Sequence, residues 1–363
     1  MESTNKYPSR SESATAGKPI RCKAAICRKA GEALVIEEIE VAPPRAWEVR
    51  IKILCTSLCH TDITFWKLDI GPASGFPKIL GHEAVGVVES VGEYVEEVKE
   101  GDIVLPVFFA NCEECRDCKS EKSNCCSKFK ETKNYHGMPR DGTSRFKDLH
   151  GQTIKHFLAV SSFAQFTVVD IAHLVDIGSH IPIDKACLLG CGVSTEGARL
   201  RKASKVIGVD LNPNKFEIGK KFGVTHFINP TNCKDKSVTE VIKELTDGGA
   251  DYCFECIGLA SLVQDAFTSC REGWGRTIVL GVEMHGTPIS LHSYEILRGK
   301  TVTGSLFGGI KPKSDIPLLA QKYIDKELNL DEFISHEVRF HEINEAFDLL
   351  LQGKSIRCII WMD

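Results

Sequence analysis

The sequence has no apolar run approaching the ~18 residues that a membrane-crossing helix needs, so no membrane partner is expected. It has no excess of one charge either: 45 Lys and Arg stand against 49 Asp and Glu, a formal net charge of −4. That balance argues against nucleic acid and anionic membranes as partners, since both select basic surfaces. The first nineteen residues, MESTNKYPSRSESATAGKP, lack the apolar core of a secretory signal. They read as a flexible tail (1–19), and the chain reads as cytoplasmic. No internal repeat is visible, and no low-complexity tract beyond the tail. What is abundant is cysteine, 16 in 363 residues. In a reducing compartment thiols stay free, and clustered ones more often bind metal than pair as disulfides. The length predicts two domains, each large enough for its own core.

From about 20 to 110 short strand patterns (KAAICR, LVIEEIEVA, EVRIKILCTSLC, AVGVVESVG, DIVLPVFF) alternate with Gly, Pro and charged breaks. They predict a compact, mostly β, barrel-like region. Strand patterns resume at 155–175. Beyond about 198 the rhythm changes. Apolar runs at 205–210, 225–230, 250–258, 276–282 and 301–307 are separated by helical patterns such as NKFEIGKKFG and SLVQDAFTSCREG. Strand alternating with helix predicts a parallel sheet with crossover helices. The end of the chain reads as two helices and a last strand, SIRCIIWM.

Between these regions, CEECRDCKSEKSNCC places Cys112, Cys115, Cys118 and Cys126 at C-x2-C-x2-C-x7-C spacing. Turns of this length let four thiolates converge on one tetrahedral ion, closing its coordination, so the site would be structural. Cys125 competes with Cys126 as the fourth ligand. A second C-x-x-C, Cys253 and Cys256, lies in a strand pattern that points the two thiols to opposite faces. They read as core residues.

Three further motifs supply isolated ligand types: SLCHTD with Cys59, GHEAVG with His82 and LLGCG with Cys191. None is decisive alone. In order along the chain, however, CHTD, GHE, the four-cysteine loop, CGVST, IGVD, GVE, FGG and SIR resemble the medium-chain zinc alcohol dehydrogenases, most closely their plant-type members, from about residue 20 to the C-terminus. The resemblance implies two zinc ions per chain. A structural zinc would be held by the loop, with Cys126 as its fourth ligand, and a catalytic zinc by Cys59, His82 and Cys191. Three protein ligands leave one position for the oxygen of a small alcohol or aldehyde substrate. The resemblance also assigns roles. Thr61 would bond the substrate oxygen and pass on its proton, Asp62 would orient His82, and Glu83 would stand behind the ligands. Phe108 would line the substrate channel. His60, Asp210, Lys215, Leu280, Val282, Phe307 and Arg357 would face NAD, with Asp210 selecting NAD over NADP. Many members carry a His five residues after the first zinc cysteine as the outer end of a proton relay. This chain has Thr64 there, which passes a proton but does not store one near neutral pH.

The glycine turn of a dinucleotide fold is the part not matched. Gly190-Cys191-Gly192 gives G-x-G, with Asp210 eighteen residues after Gly192, but Thr195 stands where a third glycine belongs. Cys191 also cannot readily line that turn and complete a zinc site. In the family, CGVST opens a helix that is followed by the first strand, the glycine turn and most of the next helix. About thirty such residues are missing here between Thr195 and Glu196. The expected architecture is therefore α/β: a barrel-like, β-rich catalytic domain (20–190 and 308–363) plus a Rossmann-type parallel-sheet domain (191–307), truncated at its first strand. The expected activity is zinc-dependent hydride transfer from a primary or secondary alcohol to NAD. The alternative is a catalytically impaired zinc-binding relative that binds NAD poorly. The resemblance further implies a homodimer joined along the last strand of the second domain, near VTGSLF, an apolar strand that would otherwise be an exposed edge.

Overall fold

The computed structural model describes residues 15, 17–69, 74–129, 136–192, 202–233 and 235–363. The chain divides into two units, Met1–Val193 with Ile310–Asp363, and Ser194–Gly309. The junction between Thr195 and Glu196 lies outside the described residues.

The first unit is built from two sheets. One has five strands in the order Lys78–Ile79, Ile20–Cys27, Val35–Val41, Phe146–Asp148, Thr153–Ile154. The other runs Leu174–Asp176, Ile103–Pro106, Glu83–Val91, Glu48–Leu58, Arg357–Trp361, Ile334–Arg339, with Phe166–Asp170 also pairing to Glu48–Leu58. Together they make a barrel-like β unit. Glu48–Leu58 is buried along most of both faces, which explains its near-continuous apolar reading. The main core, including Ile26, Phe146, Phe163 and Ile360, fills the interior of this unit.

The strand pattern read at 155–175 holds for Phe166–Asp170 and, at its end, for Leu174–Asp176. Before them, Leu158, Ala159 and Ser161 adopt left-handed backbone with φ of 48°, 57° and 52°, and the Ser161 hydroxyl accepts the Phe157 amide at 2.8 Å. Apolar composition there marks a buried loop, not a strand.

His156 illustrates how tightly this unit is packed. Its ring stacks on Phe146 at 4.3 Å. Nε2 accepts the Arg145 amide at 3.1 Å, while Nδ1 has no hydrogen-bond partner. Burial, reinforced by the Arg145 charge, pushes its pKa down to about 3. The unfolded chain takes up that proton near pH 6.5 and the folded chain does not, so stability is complete above pH 6.5. It falls by about 1.4 kcal/mol per pH unit as the pH drops from there toward 3. His156→Gln keeps an acceptor and cannot charge. Urea midpoints measured between pH 6 and 4.5 should decline less steeply in the variant, and identical slopes would refute the assignment.

Among its described residues the second unit contains five short strands where strand patterns were predicted: Ile207–Val209, His226–Ile228, Tyr252–Glu255, Arg276–Val279 and Thr301–Gly304. All their pairings are parallel. They form two sheets, one of the first two strands and one of the last three. Among the described residues no pairing joins Ile207–Val209 to Tyr252–Glu255. Val209, Tyr252 and Phe254 on these strands are 43%, 55% and 55% exposed, unusual for strands of a doubly wound sheet, which are normally covered on both faces. Helix Lys215–Lys221 falls within the predicted pattern NKFEIGKKFG, and helix Ala260–Ser269 matches SLVQDAFTSCREG but for its first residue; helix Val238–Leu245 lies between the second and third strands.

The second C-x-x-C departs from the expectation of two core cysteines. Cys256 lies beyond the end of its strand and is exposed. Cys253 is half-buried and shares a hydrogen bond with Cys270 instead.

Candidate metal centres

Helix His60–Lys67 begins directly after the long strand Glu48–Leu58, with Cys59 at the joint. The Asp62 carboxylate holds that joint. Its Oδ2 accepts the Cys59 amide at 3.0 Å, and its Oδ1 accepts the Gly81 amide at 3.0 Å. Oδ1 also lies 3.1 Å from His82 Nδ1. A carboxylate at that distance accepts a hydrogen bond from Nδ1–H, which in the neutral ring leaves Nε2 as the lone-pair nitrogen. Nε2 is buried and has no hydrogen-bond partner. It belongs to a group with Cys59 Sγ, Cys191 Sγ and a Glu83 carboxylate oxygen whose ligand atoms all lie within 4.8 Å of one another. An orphaned imidazole nitrogen facing two thiols fits a zinc ion.

The protonation states of these groups depend on one another. Hydrogen bonding to Cys191 drives the Cys59 thiol well below its ordinary value against the effect of burial, helped by the Arg357 and His82 charges. The same bond and burial hold Cys191 well above it, so the two thiols share a proton that a metal would displace. Burial opposes a charge on His82, but Asp62 and Cys59 outweigh it and raise the imidazole well above its ordinary value. Burial raises Glu83 to about 7 despite Arg357. Glu83 Oε2 accepts the Ser57 hydroxyl at 2.6 Å, and Oε1 has no partner.

Replacing Asp62 by Asn should loosen the tautomer control on His82. Partners of this kind carry about 10–100-fold of metal affinity. Competition with a fluorescent zinc chelator should register a loss of that size at one site, and an unchanged titration would dismiss the orienting role.

The four-cysteine loop forms the second group. Cys112, Cys115, Cys118 and Cys126 also place their sulfurs within 4.8 Å of one another. The Cys112–Cys118 and Cys115–Cys126 separations are both 3.9 Å, against edges of about 3.8 Å for a tetrahedron of ~2.3 Å Zn–S bonds. Cys125 is exposed, with its sulfur directed to Asn124 Oδ1 at 3.7 Å, so the structure gathers Cys126 and leaves Cys125 out. Amides aim at the sulfurs: Cys118 N–H at Cys115 (3.3 Å) and Cys115 N–H at Cys112 (3.4 Å). Although burial opposes it, hydrogen bonds from Ser127 and the Cys118 amide bring Cys115 down to about 5.

Other residues singled out in the sequence fall as follows. Thr61 lies in the first turn of helix His60–Lys67. Phe108 sets its ring edge-on to His82 at 5.8 Å, and Phe157, which sequence reasoning missed, does so at 6.1 Å. Thr64 donates its hydroxyl to the His60 carbonyl at 3.0 Å, a bond internal to the helix. Arg357 sits with Nε 3.5 Å from Glu83 Oε2, and its guanidinium fills the space that a side chain at Gly192 would need, 2.7 Å from the ideal Cβ position. In the second unit, Asp210 and Lys215 pair at 3.2 Å near the surface. Val282 is exposed, Leu280 is partly buried, and Phe307 is buried with a left-handed φ of 54°. Glu255, not anticipated, accepts the amides of Ile257 and Gly258 at 2.9 and 2.8 Å. It thereby fixes a turn where Gly258 and Gly281 meet so closely that a Cβ on Gly281 would lie 2.0 Å from the Gly258 nitrogen.

Two family descriptions match the chain: "Alcohol dehydrogenase GroES-like domain" over residues 45–179 and "Zinc-binding dehydrogenase" over 192–324. It is 60% identical to Alcohol dehydrogenase-like 1 of Arabidopsis thaliana, covering 97% of this chain and 98% of that one. The chain belongs to the zinc-binding alcohol dehydrogenase family. This alcohol dehydrogenase homologue is also 47% identical to Alcohol dehydrogenase 1 of Petunia hybrida, over 96% of this chain and 99% of the relative. Among solved structures it resembles benzyl alcohol dehydrogenase from Acinetobacter calcoaceticus, with a TM-score of 0.83 and 26% identity over 95% of this chain and 100% of the other. Its alignment with Alcohol dehydrogenase-like 7 of Arabidopsis thaliana, 56% identical, covers 100% of both proteins and runs over 394 positions. Subtracting the 363 residues of this homologue from 394 leaves about 31 aligned positions that it does not fill.

Proposed function

We propose that this chain carries the zinc half of NAD-linked alcohol oxidation and that its second unit binds NAD poorly. The convergence of Cys59, His82 Nε2 and Cys191 is the observation that supports the first part. A zinc ion held by these three residues supplies Lewis-acid polarisation of an alcohol or carbonyl oxygen. Asp62 keeps the imidazole in the one tautomer that presents Nε2. Thr61, next to the joint, accepts the substrate's hydroxyl proton. Thr64 does not extend that path, because its hydroxyl is spent on the His60 carbonyl, so the proton passes to water. Asp210 is the group to hold a ribose, with Lys215 beside it.

The divided sheet supports the second part. A dinucleotide sits on the turn between a central first strand and its helix, and among the described residues no strand stands between Ile207–Val209 and Tyr252–Glu255. The 31 unfilled aligned positions are enough for a strand, a turn and much of a helix. Purified chain should contain two zinc ions by elemental analysis, show no saturation of NADH fluorescence at micromolar concentrations, and reduce NAD with alcohol only slowly. Micromolar saturation would overturn the impairment, and absence of zinc would overturn the rest. In the ultracentrifuge the same sample should sediment as a homodimer joined along the edge strand Thr301–Gly304, and a monomer would dismiss that arrangement.

A further inference from the structure

The segment that returns to the first unit, just ahead of helix Pro312–Ile324, lies against the four-cysteine loop. Lys311 extends its ammonium to two carbonyls of that loop, Cys118 O at 2.9 Å and Ser120 O at 2.7 Å. The neighbouring Ile310 carbonyl accepts Asn124 Nδ2 at 3.2 Å. These bonds cross more than 180 positions of sequence. At its own end Lys311 is fixed by its amide, which donates to Asp315 Oδ2 at 2.9 Å.

The loop has need of such a partner. Its only regular element is the four-residue helix Arg116–Lys119, and the apolar cluster around its cysteines is small. Four thiolates around a divalent ion leave a net charge of −2, which a nearby ammonium offsets. Because Lys311 bonds the carbonyl of a cysteine that faces the cluster, it fixes the turn that presents that sulfur and brings a positive charge to the loop.

We propose that Lys311 is the positioning residue that sets how long this loop retains its metal, an inference that rests on reading the loop as a zinc site. Metal leaves such a site when one sulfur swings away and is protonated or captured. Two charge-assisted bonds to the Cys118–Ser120 turn oppose the first of these motions. Lys313, two residues on, pairs with Glu97 and with Glu113 at 3.7 Å and bonds no carbonyl of the Cys118–Ser120 turn, so it serves as a control.

The test uses the full chain loaded with cadmium, whose thiolate absorption in the ultraviolet reports each site, and follows its loss to excess EDTA. The release phase missing from Cys126→Ser belongs to the loop. In Lys311→Met that phase should run at least about tenfold faster, with the other phase unchanged. Lys311→Arg, which keeps the charge and two donors, should restore slow release, and Lys313→Met should match the parent chain. Circular dichroism equal to the parent's establishes that each variant is folded. A loop phase within twofold of the parent's in Lys311→Met overturns the role of Lys311 alone. If Cys126→Ser lacks no phase, the reading of the loop as a metal site fails instead.

Discussion

Inserting the strand, glycine turn and helix start of a plant relative between Thr195 and Glu196 should tighten NADH binding by about a thousandfold or more. The physical basis would be the gain of a whole anion site. Hydrogen bonds to a charged group contribute about 1.5–3 kcal/mol each, and a helix terminus ~0.3–2 kcal/mol. Two such bonds and the terminus therefore amount to several kcal/mol, at about tenfold in affinity per 1.4 kcal/mol. The inserted strand would also find parallel partners of the right polarity. Ile207–Val209 already runs parallel to His226–Ile228, and Tyr252–Glu255 parallel to Arg276–Val279. A strand between them completes the six-strand order of a doubly wound sheet and covers Val209, Tyr252 and Phe254. NADH fluorescence titration measures the first effect, and amide hydrogen exchange at 207–209 and 252–255 the second. If the enlarged chain binds no better than the parent, the deletion is not what limits the cofactor.

Cys126→Ser should lower the thermal midpoint of the first unit by roughly 10 °C or more, while Cys125→Ser should leave it within about 1 °C. The two cysteines are adjacent, yet one thiol is buried among three others and the other is exposed. A structural zinc contributes folding free energy outright, because the loop it closes has little apolar surface of its own to bury. Serine at 126 removes a ligand while hardly changing volume, so the effect measures coordination and not packing. Calorimetry of both variants, with and without EDTA, decides the matter. EDTA should bring the parent down toward Cys126→Ser, and equal midpoints for the two variants would refute a bound ion.

The four-cysteine loop was legible because turn-length spacing leaves few alternatives for where its sulfurs can meet, whereas Cys59, His82 and Cys191, far apart in sequence, were grouped by the resemblance alone. The five strands of the second unit were legible from their apolar runs for a similar reason: short, separated runs have one reading in a parallel sheet. Other features were not legible. The left-handed residues at 158, 159 and 161 are not glycines, so no local signal announces them. Thr64 was read as an open end of a relay, but a threonine inside a helix has its own i−4 carbonyl within reach. Cys256 was taken for a core residue because strand ends are poorly marked in sequence, and it lies one residue past the end of Tyr252–Glu255, where its thiol is exposed. Arg357 and Glu83 lie 274 residues apart, and only the strand pairing of Arg357–Trp361 with Glu48–Leu58, itself paired to Glu83–Val91, brings them together.

Every side chain in the two metal-facing clusters belongs to the stretch 59–191, inside the unit formed by Met1–Val193 and Ile310–Asp363. On the proposed reading, metal loading would be decoupled from nucleotide capture. A preparation that assays as fully metallated would certify that unit only, and stoichiometric zinc would be no surrogate for a competent oxidoreductase.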